Sequence, residues 1–329
     1  MIERTEYVEL LKRFKDKDLI KVITGIRRCG KSTLFDLYID YLKKEKIKSS
    51  QIININLENP EYQFEGYMEL YNYVNKKIKD EEKYYVFLDE VQNVPEFQKA
   101  VDGLYIKKNV DLYITGSNAN LLSGELATLL SGRYIEIKMM PLSFKEYISY
   151  VGEIDLNKKY KNYILNSSFP YALQLNNKKE LNVYLEAIYN SIILKDIVNR
   201  KKAIDIPMLD SVVKYMFDNI GNLCSSTKIS NTMTSIGRSI SVHTVENYLK
   251  LLIDSFILYK VERYDIKGKQ YLSTGNKYYV CDIGLRYMLL GDKKVDAGHI
   301  LENIVYLELI RRGYEVYIGK IGENEVDFI

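Results

Sequence analysis

Short apolar runs alternate along the chain with longer segments in which apolar residues recur at helical spacing. Two of the runs, YYVFLDE and DLYITGS, stay apolar until their last residues, as strands buried on both faces do. Strands are predicted at Leu19–Thr24, Gln51–Leu57, Tyr84–Asp89, Val110–Thr115 and Tyr134–Met140. Helices are predicted between them at Lys31–Lys46, Tyr67–Lys79, Pro95–Lys107 and Leu121–Leu130. This alternation is typical of an α/β fold with a mostly parallel sheet, which we expect over residues 1–142.

The pattern changes after this sheet. Residues 143–204 carry helical periodicity without strand alternation, which predicts a helical lid or connector. Residues 205–290 combine helices with a hairpin whose tip is polar and contains glycine, which is typical of a winged helix-turn-helix with the hairpin as its wing. The predicted elements are helices at Met208–Asn219, Ser226–Thr234 and His243–Ile253 and strands at Ile257–Tyr264 and Lys277–Cys281.

The last segment, residues 291–329, begins with a helix in HILENIVYLELIRRG and ends on the apolar strand EVDFI. A strand at the end of a chain leaves an open sheet edge, which natural domains usually cover. We therefore expect this segment to be the start of a further domain and the chain to be truncated.

Composition narrows the chemistry. The length of 329 residues predicts several domains. The 47 Lys and Arg against 44 Asp and Glu give a net charge of +3, which is too balanced to indicate a particular class of binding partner. The two histidines and three dispersed cysteines exclude most His-based nucleophilic schemes, zinc modules and disulfide scaffolds. The sequence shows no signal core and no apolar stretch of about 20 residues, so we expect a cytoplasmic protein without membrane contact.

The clearest chemical signal is a G-x4-GK[ST] motif directly after the first predicted strand and directly before a helix. Its glycines let successive backbone N–H groups point inward around a β-phosphate. Lys31 supplies a cation for the β- and γ-phosphates, Ser32 a hydroxyl for Mg2+, and Thr33 can reach the α-phosphate. The predicted ATP-binding residues are Gly25, Ile26, Arg27, Arg28, Cys29, Gly30, Lys31, Ser32 and Thr33. The alternative is a strand-to-helix turn that binds nothing.

A second signal is the pair of acids at the end of the strand Tyr84–Asp89. Asp89 is suited to hold Mg2+ through its water shell, and Glu90 to orient and deprotonate the attacking water. A Glu directly after the Mg2+-binding Asp favours ATP hydrolysis by an additional-strand ATPase over a GTPase or a small-molecule kinase. The alternative is a strand whose end simply meets solvent.

The next strand ends in the polar run Thr115, Ser117 and Asn118. We expect this strand to lie between the strands that carry the glycine loop and the acids. Ser117 and Asn118 are therefore candidate sensors that detect the γ-phosphate and align water. The same run is also ordinary chemistry for the start of a helix.

The chain resembles a family of bacterial and archaeal AAA-type ATP-binding proteins that end in a domain of unknown function. The resemblance spans essentially the whole sequence and lies in GIRRCGKST, YYVFLDEVQNV, YITGSNANLL, LLSGRYIEIKMMPLSFKEY, FPYAL and ILKDIVNR. It implies an ATPase core, then a winged helix, then a fold similar to PD-(D/E)xK nucleases. In ATPases of this class an arginine at the position of Arg133 reaches the γ-phosphate of a neighbouring subunit, which requires a homo-oligomer; the alternative is a surface arginine.

The implied nuclease-like segment lacks part of its motif. Glu302 and Asp327 match the first two metal-binding positions, with Glu325 alongside, but the ExK strand would follow Ile329. We therefore expect no DNA cleavage by this chain. For a longer chain two roles stay open, metal binding by Glu302 and Asp327 or a structural role, and we favour the structural role, in which Glu302 caps a helix and Asp327 pairs with Arg311.

Together these features predict an enzyme, a Mg2+-dependent ATPase whose hydrolysis changes the relation between its core and its C-terminal modules in a DNA-linked or defence process. Residues 205–290 hold ten Lys and Arg against eight Asp and Glu, a modest surplus that could contact DNA phosphates. The basic residues in and near the wing and the recognition helix are Lys260, Arg263, Lys267, Lys269, Lys277, Arg238 and Lys250. Solvated charges on a protein-binding module look the same, so the alternative function is a slow nucleotide-dependent switch that binds protein partners.

Overall fold

The computed structural model describes residues 2–122, 130, 132–152, 154–175, 177–198, 204–266, 268, 270–291, 297–322 and 324–329. The chain divides into two compact units, Met1–Met139 and Met140–Ile329. None of the helices within the described ranges is both long enough and apolar enough to cross a membrane.

The first unit is built on a parallel sheet whose described strands follow the spatial order β2-β3-β4-β1-β5. Its strands are β1 (Ile20–Thr24), β2 (Ile52–Asn56), β3 (Tyr84–Asp89), β4 (Val110–Gly116) and β5 (Tyr134–Lys138). All four pairings between neighbouring strands are parallel. The predicted α/β fold with a parallel sheet is confirmed, and β4 lies between β1 and β3 as the sequence predicts.

Helices cover both faces of this sheet, which explains why β1 and β3 are buried along their whole length. The helices are α1 (Thr5–Arg13), α2 (Lys31–Lys44), α3 (Tyr67–Lys77) and α4 (Phe97–Tyr105). On one face, Phe87 stacks on Tyr113 with ring centroids 4.7 Å apart, and Tyr38 of α2 packs against Tyr113 at 5.3 Å. On the other face, Leu70 of α3 and Leu104 of α4 belong to a core shared with the alternate strand residues.

The predicted elements of this unit differ from the observed ones mainly at their ends. Helix α1 was not predicted, although the four-residue spacing of its buried Tyr7 and Leu11 is a helical signal. Of the helix predicted at Leu121–Leu130, the structure describes a 3-10 turn at Ala119–Leu122, and residues 123–129 lie outside the described part of the chain.

The second unit begins with the helices expected for residues 143–204. They are α5 (Phe144–Val151), α6 (Leu156–Asn166) and α7 (Lys178–Ser191), and a π-helical turn at Ile192–Ile197 continues α7. Helix α5 starts at a capping box, because the Ser143 hydroxyl accepts from the Glu146 N–H while the Glu146 carboxylate accepts from the Ser143 N–H.

Three helices and a hairpin follow. They are α8 (Ile206–Asp218), α9 (Ser226–Ser235), α10 (Val242–Asp254) and the antiparallel strands β6 (Leu258–Asp265) and β7 (Gln270–Val280), then helix α11 (Ile283–Leu290). The first three helices begin at Asp205, Ser225 and Ser241, whose side chains accept a backbone N–H of the first turn. This element order agrees with the predicted order, and a winged-helix role for it stays a prediction.

The last described elements are helix α12 (Ala297–Arg311) and strands β8 (Ile318–Ile321) and β9 (Asn324–Val326). Strand β8 pairs in parallel with β6, which gives a sheet in the order β7-β6-β8-β9. Val261, Tyr279, Tyr306 and Ile318 share one apolar core. The hairpin and the end of the chain are therefore parts of the same layer, a pairing that the sequence did not reveal.

Candidate functional site

The glycine loop joins the end of β1 to the start of α2 and uses a backbone that only glycine accepts. Gly25 has a φ of +151° and Gly30 a φ of +107°. A Cβ atom on Gly25 would lie 2.0 Å from the carbonyl oxygen of Met139, which is far inside contact distance. The loop can therefore curl with its N–H groups free of side-chain obstruction, as a phosphate cradle requires.

Lys31 is the first residue of α2 and its side chain folds back over this loop. Its Nζ lies 3.0 Å from the carbonyl oxygen of Gly25, 3.4 Å from that of Ile26 and 3.2 Å from Oε1 of Glu90. Burial alone would lower the pKa of Lys31, but the charges of Glu90, Cys29 and Asp89 and the hydrogen bond to Glu90 together outweigh burial and raise the pKa. The ammonium is therefore fully charged and aimed at the concave side of the loop, and Thr33 lies half-buried in the same helical turn.

Asp89 ends β3 and is tied to its neighbours by hydroxyl groups. The Thr115 hydroxyl donates to Asp89 Oδ1 at 2.5 Å and accepts from the Glu90 N–H at 2.8 Å. The Ser32 hydroxyl lies close enough to lower the pKa of the Asp89 carboxyl. Burial raises the pKa of Asp89, the hydroxyls of Ser32 and Thr115 lower it, and the adjacent charge of Glu90 raises it; the net pKa lies above the ordinary value. The predicted ligands Ser32 and Asp89 thus lie near each other.

Glu90 follows in a left-handed conformation, with a φ of +54°, and its carboxylate is held at both oxygens. Lys31 contacts Oε1, and Gln92 Nε2 donates to Oε2 at 2.5 Å. Burial would raise the pKa of Glu90, but Lys31, Gln92 and the charge of Arg27 together hold it below the usual range. The structure therefore brings Glu90 next to the lysine of the loop, in its ionised form.

The remaining loop residues lie around this centre. Arg27 pairs with Glu58 beyond the end of β2 at 2.7 Å, and Arg28 is exposed. Ile26 and Cys29 are buried, and burial raises the pKa of the Cys29 thiol. These side chains support the loop or stand at its rim.

Ser117 and Asn118 lie directly after β4, and both are buried. Gln92 Nε2 lies 3.4 Å from Ser117 Oγ, so one amide connects Ser117 to Glu90. The sequence predicted the end of β4 beside the acids but did not indicate the contacts of Gln92. It also did not indicate that the Thr115 hydroxyl connects Asp89 with the Glu90 N–H. The signal for Gln92 was its position two residues after Glu90 in DEVQN.

Arg133 lies at the opposite edge of the sheet within its own chain. It immediately precedes β5, and its carbonyl oxygen accepts from the N–H of Ile20, the first residue of β1. Its NH1 pairs with Asp102 at 2.7 Å, and its side chain is 45% exposed. The glycine loop begins where β1 ends, so the structure does not bring Arg133 to the loop of the same chain.

Ser32 and Asp89 fit a magnesium ion. Both offer oxygen donors, and a buried carboxylate with a raised pKa gains most from a neighbouring cation. Mg2+ is usually held in proteins by one or two carboxylates together with waters and substrate phosphates, which matches a site with one carboxylate and one hydroxyl. When bound, Mg2+ would neutralise phosphate charge.

A second charged cluster lies in the second unit, around the buried ammonium of Lys277 on β7. Its Nζ lies 2.7 Å from Glu302 Oε1, 2.7 Å from Glu325 Oε1 and 3.9 Å from Asp327 Oδ1. The Tyr279 hydroxyl donates to Glu302 at 2.5 Å. Lys277 and its three acidic neighbours border a cavity of about 450 Å³.

This cluster corrects three expectations. Glu302 does not cap a helix, because it is the sixth residue of α12 and its carboxylate binds Lys277. Asp327 does not pair with Arg311, which instead binds Glu308 and the carbonyl oxygen of Pro141. Lys277 is not part of an exposed basic wing, because it is buried between Glu302 of α12 and Glu325 of β9. Lys267 and Lys269 lie outside the described residues.

The strand order, the glycine loop with its lysine, and the acids at the end of β3 define the first unit as a P-loop ATPase domain of AAA type. In agreement, a family model described as an AAA domain matches residues 17–148. A second model, a domain of unknown function (DUF8612), matches residues 157–296. The chain belongs to the family of AAA-type ATP-binding proteins with a C-terminal domain of unknown function.

Relatives extend this assignment over the whole chain. A protein of Haemophilus influenzae described as uncharacterized is 44% identical over 100% of this chain and 84% of its own length. The Methanocaldococcus jannaschii protein MJ1544, also described as uncharacterized, is 28% identical over 94% of this chain and 71% of its own length. Among solved structures, a Walker-type ATPase of Pyrococcus abyssi has a TM-score of 0.59 at 15% identity and covers 88% of this chain and 96% of its own, a likeness of fold.

Proposed function

We propose that the chain binds ATP with Mg2+ at the P-loop of its first unit and hydrolyses it, with Glu90 as the general base for the attacking water. The observation that carries this proposal is the convergence of two separate segments. Lys31 contacts Glu90 at 3.2 Å, and Ser32 lies close enough to Asp89 to lower the pKa of its carboxyl, although the segments are more than 50 residues apart in sequence.

The roles follow from the positions of the groups. The N–H groups of the glycine loop and the Lys31 ammonium bind the β- and γ-phosphates. Ser32 and Asp89 hold Mg2+, and Glu90, kept ionised by Lys31 and Gln92, accepts the proton of the water. Ser117 and Asn118, at the end of the neighbouring strand, sense the γ-phosphate and align the water.

Replacing the base tests this assignment. In Glu90→Gln we expect ATP binding to persist by calorimetry while steady-state hydrolysis falls by about 10²- to 10⁴-fold, the usual contribution of general base catalysis. The matched control is Glu96→Gln, because Glu96 is exposed and pairs only locally with Lys99. Wild-type turnover by Glu90→Gln would remove the role of Glu90, and absence of ATP binding by the wild-type chain would remove the whole proposal.

We further propose that Arg133 acts on the site of a neighbouring copy. Its 45% exposure and its place at the far edge of the sheet suit contact between subunits rather than within one. Mixing Lys31→Ala with Arg133→Ala tests this, because the intact Lys31 of one variant can then meet the intact Arg133 of the other and complete a site. Recovery of hydrolysis in the mixture supports action in trans, and a mixture as inactive as its parts contradicts it.

In this proposal, hydrolysis changes the arrangement of the ATPase core and the C-terminal modules. ATP can drive this change only as far as its affinities for the two arrangements differ. A DNA-linked process requires contact with DNA, which Lys250, exposed on α10, can offer. Lys250→Glu should then weaken DNA binding, measured by fluorescence anisotropy at low salt, and should flatten its salt dependence. If the wild-type chain binds no DNA at low salt, the DNA-linked process is contradicted and the alternative with a protein partner stands.

The second candidate is a slow nucleotide-dependent switch that binds protein partners. It is favoured by the two donors on the Glu90 carboxylate, since a carboxylate with a lowered pKa is a weak base. Other basic residues of the second unit are also engaged locally: Lys260 with Glu262, and Arg238 with the carbonyl oxygen of Pro207. Turnover well below ~1 s⁻¹ that DNA does not accelerate supports the switch, and DNA-stimulated turnover supports the DNA-linked ATPase.

A further inference from the structure

The side chain of Gln92 links the ends of two neighbouring strands at the candidate catalytic centre. Gln92 lies in the 3-10 turn Val91–Asn93, just beyond β3. Its Nε2 donates to Glu90 Oε2 at 2.5 Å and to Ser117 Oγ, at the end of β4, at 3.4 Å. A single amide group thus contacts both the proposed base and a proposed sensor.

The orientation of this amide follows from electrostatics. An ionised carboxylate only accepts hydrogen bonds, so the NH2 group of Gln92 must face Glu90, and the amide oxygen must face away. That oxygen, Oε1, is buried and has no hydrogen-bond partner within the described part of the chain. A Cβ atom on Gly116 would lie 3.0 Å from this oxygen, so the absence of a side chain at Gly116 leaves room for the Gln92 amide.

The fold of the turn does not depend on this side chain. The turn is closed by backbone bonds, from the Asn93 N–H to the Glu90 carbonyl oxygen at 3.1 Å and from the Val94 N–H to the Val91 carbonyl oxygen at 3.1 Å. A glutamine that only shaped the turn would have no need to reach back to the carboxylate. The contact that Gln92 adds is specific to the Glu90 head group.

We propose that Gln92 is a positioning residue that holds one oxygen of the Glu90 carboxylate and links its orientation to Ser117 at the end of β4. Lys31 holds the other oxygen, so the carboxylate is fixed between two donors that come from different sides of the centre. A shift of Ser117 is then transmitted through the amide to Glu90. This inference rests on the proposed function, in which Glu90 activates water.

The test compares Gln92→Ala and Gln92→Glu with the wild-type chain. In Gln92→Ala we expect ATP affinity by calorimetry to stay within about twofold and kcat to fall about 10-fold, as for loss of a supporting hydrogen bond behind a catalytic group. In Gln92→Glu a second carboxylate takes the place of the donor and raises the pKa of Glu90, so the acidic limb of the pH profile of kcat/KM moves upward by about one pH unit.

A measurement on the nucleotide-free protein separates an effect on Glu90 from an effect on ATP binding. Carbon-13 NMR of the free protein, with the Glu90 signal assigned by its loss in Glu90→Gln, should show a higher carboxylate pKa in Gln92→Ala than in the wild type. The matched control is Asn93→Ala, since Asn93 is the exposed next residue of the same turn. It should change neither kcat nor the NMR titration.

Two further variants distinguish failure of this inference from failure of the proposed function. If Gln92 acts through Glu90, Gln92→Ala has no further effect on kcat in the Glu90→Gln background, and Ser117→Ala and Gln92→Ala are non-additive. Full additivity, or an unchanged kcat and an unchanged Glu90 titration in Gln92→Ala, overturns the role of Gln92 while Glu90 keeps its own. Wild-type turnover by Glu90→Gln overturns the proposed function itself.

Discussion

Lys31 in the first unit and Lys277 in the second are both buried beside acids, and these two lysines have different surroundings. Lys31 meets one carboxylate, Glu90, and two backbone carbonyl oxygens of the glycine loop. Lys277 meets two carboxylates at 2.7 Å and a third at 3.9 Å, and no comparable glycine loop is described around it. In both cases burial would lower the lysine pKa and the neighbouring acids raise it.

The difference indicates what would separate a phosphate-binding lysine, the role we propose for Lys31, from a structural one. Lys31 is held by weaker partners than a triphosphate, so it can exchange them for phosphate oxygens. Lys277 already has more negative charge around it than it can neutralise, so an anionic ligand would gain little there. A buried lysine among acids is therefore not a sign of an anion site unless backbone donors converge on the same space.

The largest expected effect is on stability, from Lys277→Met. Removing the ammonium leaves Glu302 and Glu325 close together without compensation, which should cost about 3 to 5 kcal/mol in free energy of unfolding, measured by chemical denaturation of the second unit. ATP affinity should not change. The control Lys260→Met removes a half-exposed lysine paired with Glu262 and should cost less than about 0.5 kcal/mol. Equal stability of the two variants would contradict the structural role of Lys277.

Next comes Lys31→Met, which should reverse the pattern. We expect ATP affinity to fall about 100-fold, since a charge-assisted contact to phosphate is lost, and calorimetry measures this directly. Stability should fall less than in Lys277→Met, because the Glu90 carboxylate keeps its bond from Gln92. Unchanged ATP affinity would mean that Lys31, like Lys277, only balances charge.

A smaller change is expected from Asp89→Asn, with opposite signs for binding and stability. Mg2+-dependent ATP affinity should fall about 10-fold with the loss of an outer ligand. Because the pKa of Asp89 is raised on folding, its carboxylate costs stability as pH rises above its unfolded value of 3.8. The nucleotide-free variant should therefore melt at a higher temperature than the wild type at pH 7, and this gap should close toward pH 4. A gap independent of pH would contradict the burial of that charge.

The smallest effect concerns the pH dependence of hydrolysis. Glu90 has a pKa below its ordinary value of 4.5, so it stays ionised throughout the neutral and mildly acidic range. The acidic limb of kcat/KM, which reports the free enzyme, should lie below pH 4.5, with less than about a twofold change between pH 7 and pH 5.5. An acidic limb near pH 6 would indicate that Lys31 and Gln92 do not hold the Glu90 carboxylate in its ionised form.

The sequence predicted best what is local. The glycine loop and the acids each follow a buried strand directly, and parallel strands bring their carboxyl ends to one edge, so Lys31 and Asp89 could be placed together from pattern alone. The same rule places Arg133, which precedes β5, at the other edge. What failed depends on pairing between distant segments: β8 against β6, and Lys277 against acids that follow it by 25 residues or more in the chain.

The close approach of Gly25 to the main chain of Met139 has a consequence for mutational tolerance. The oxygen that fills the space beside Gly25 belongs to the backbone, so every residue type at position 139 would present it. A library that varies both positions and selects for nucleotide binding should recover glycine alone at 25 and a range of apolar residues at 139, whose side chain is buried.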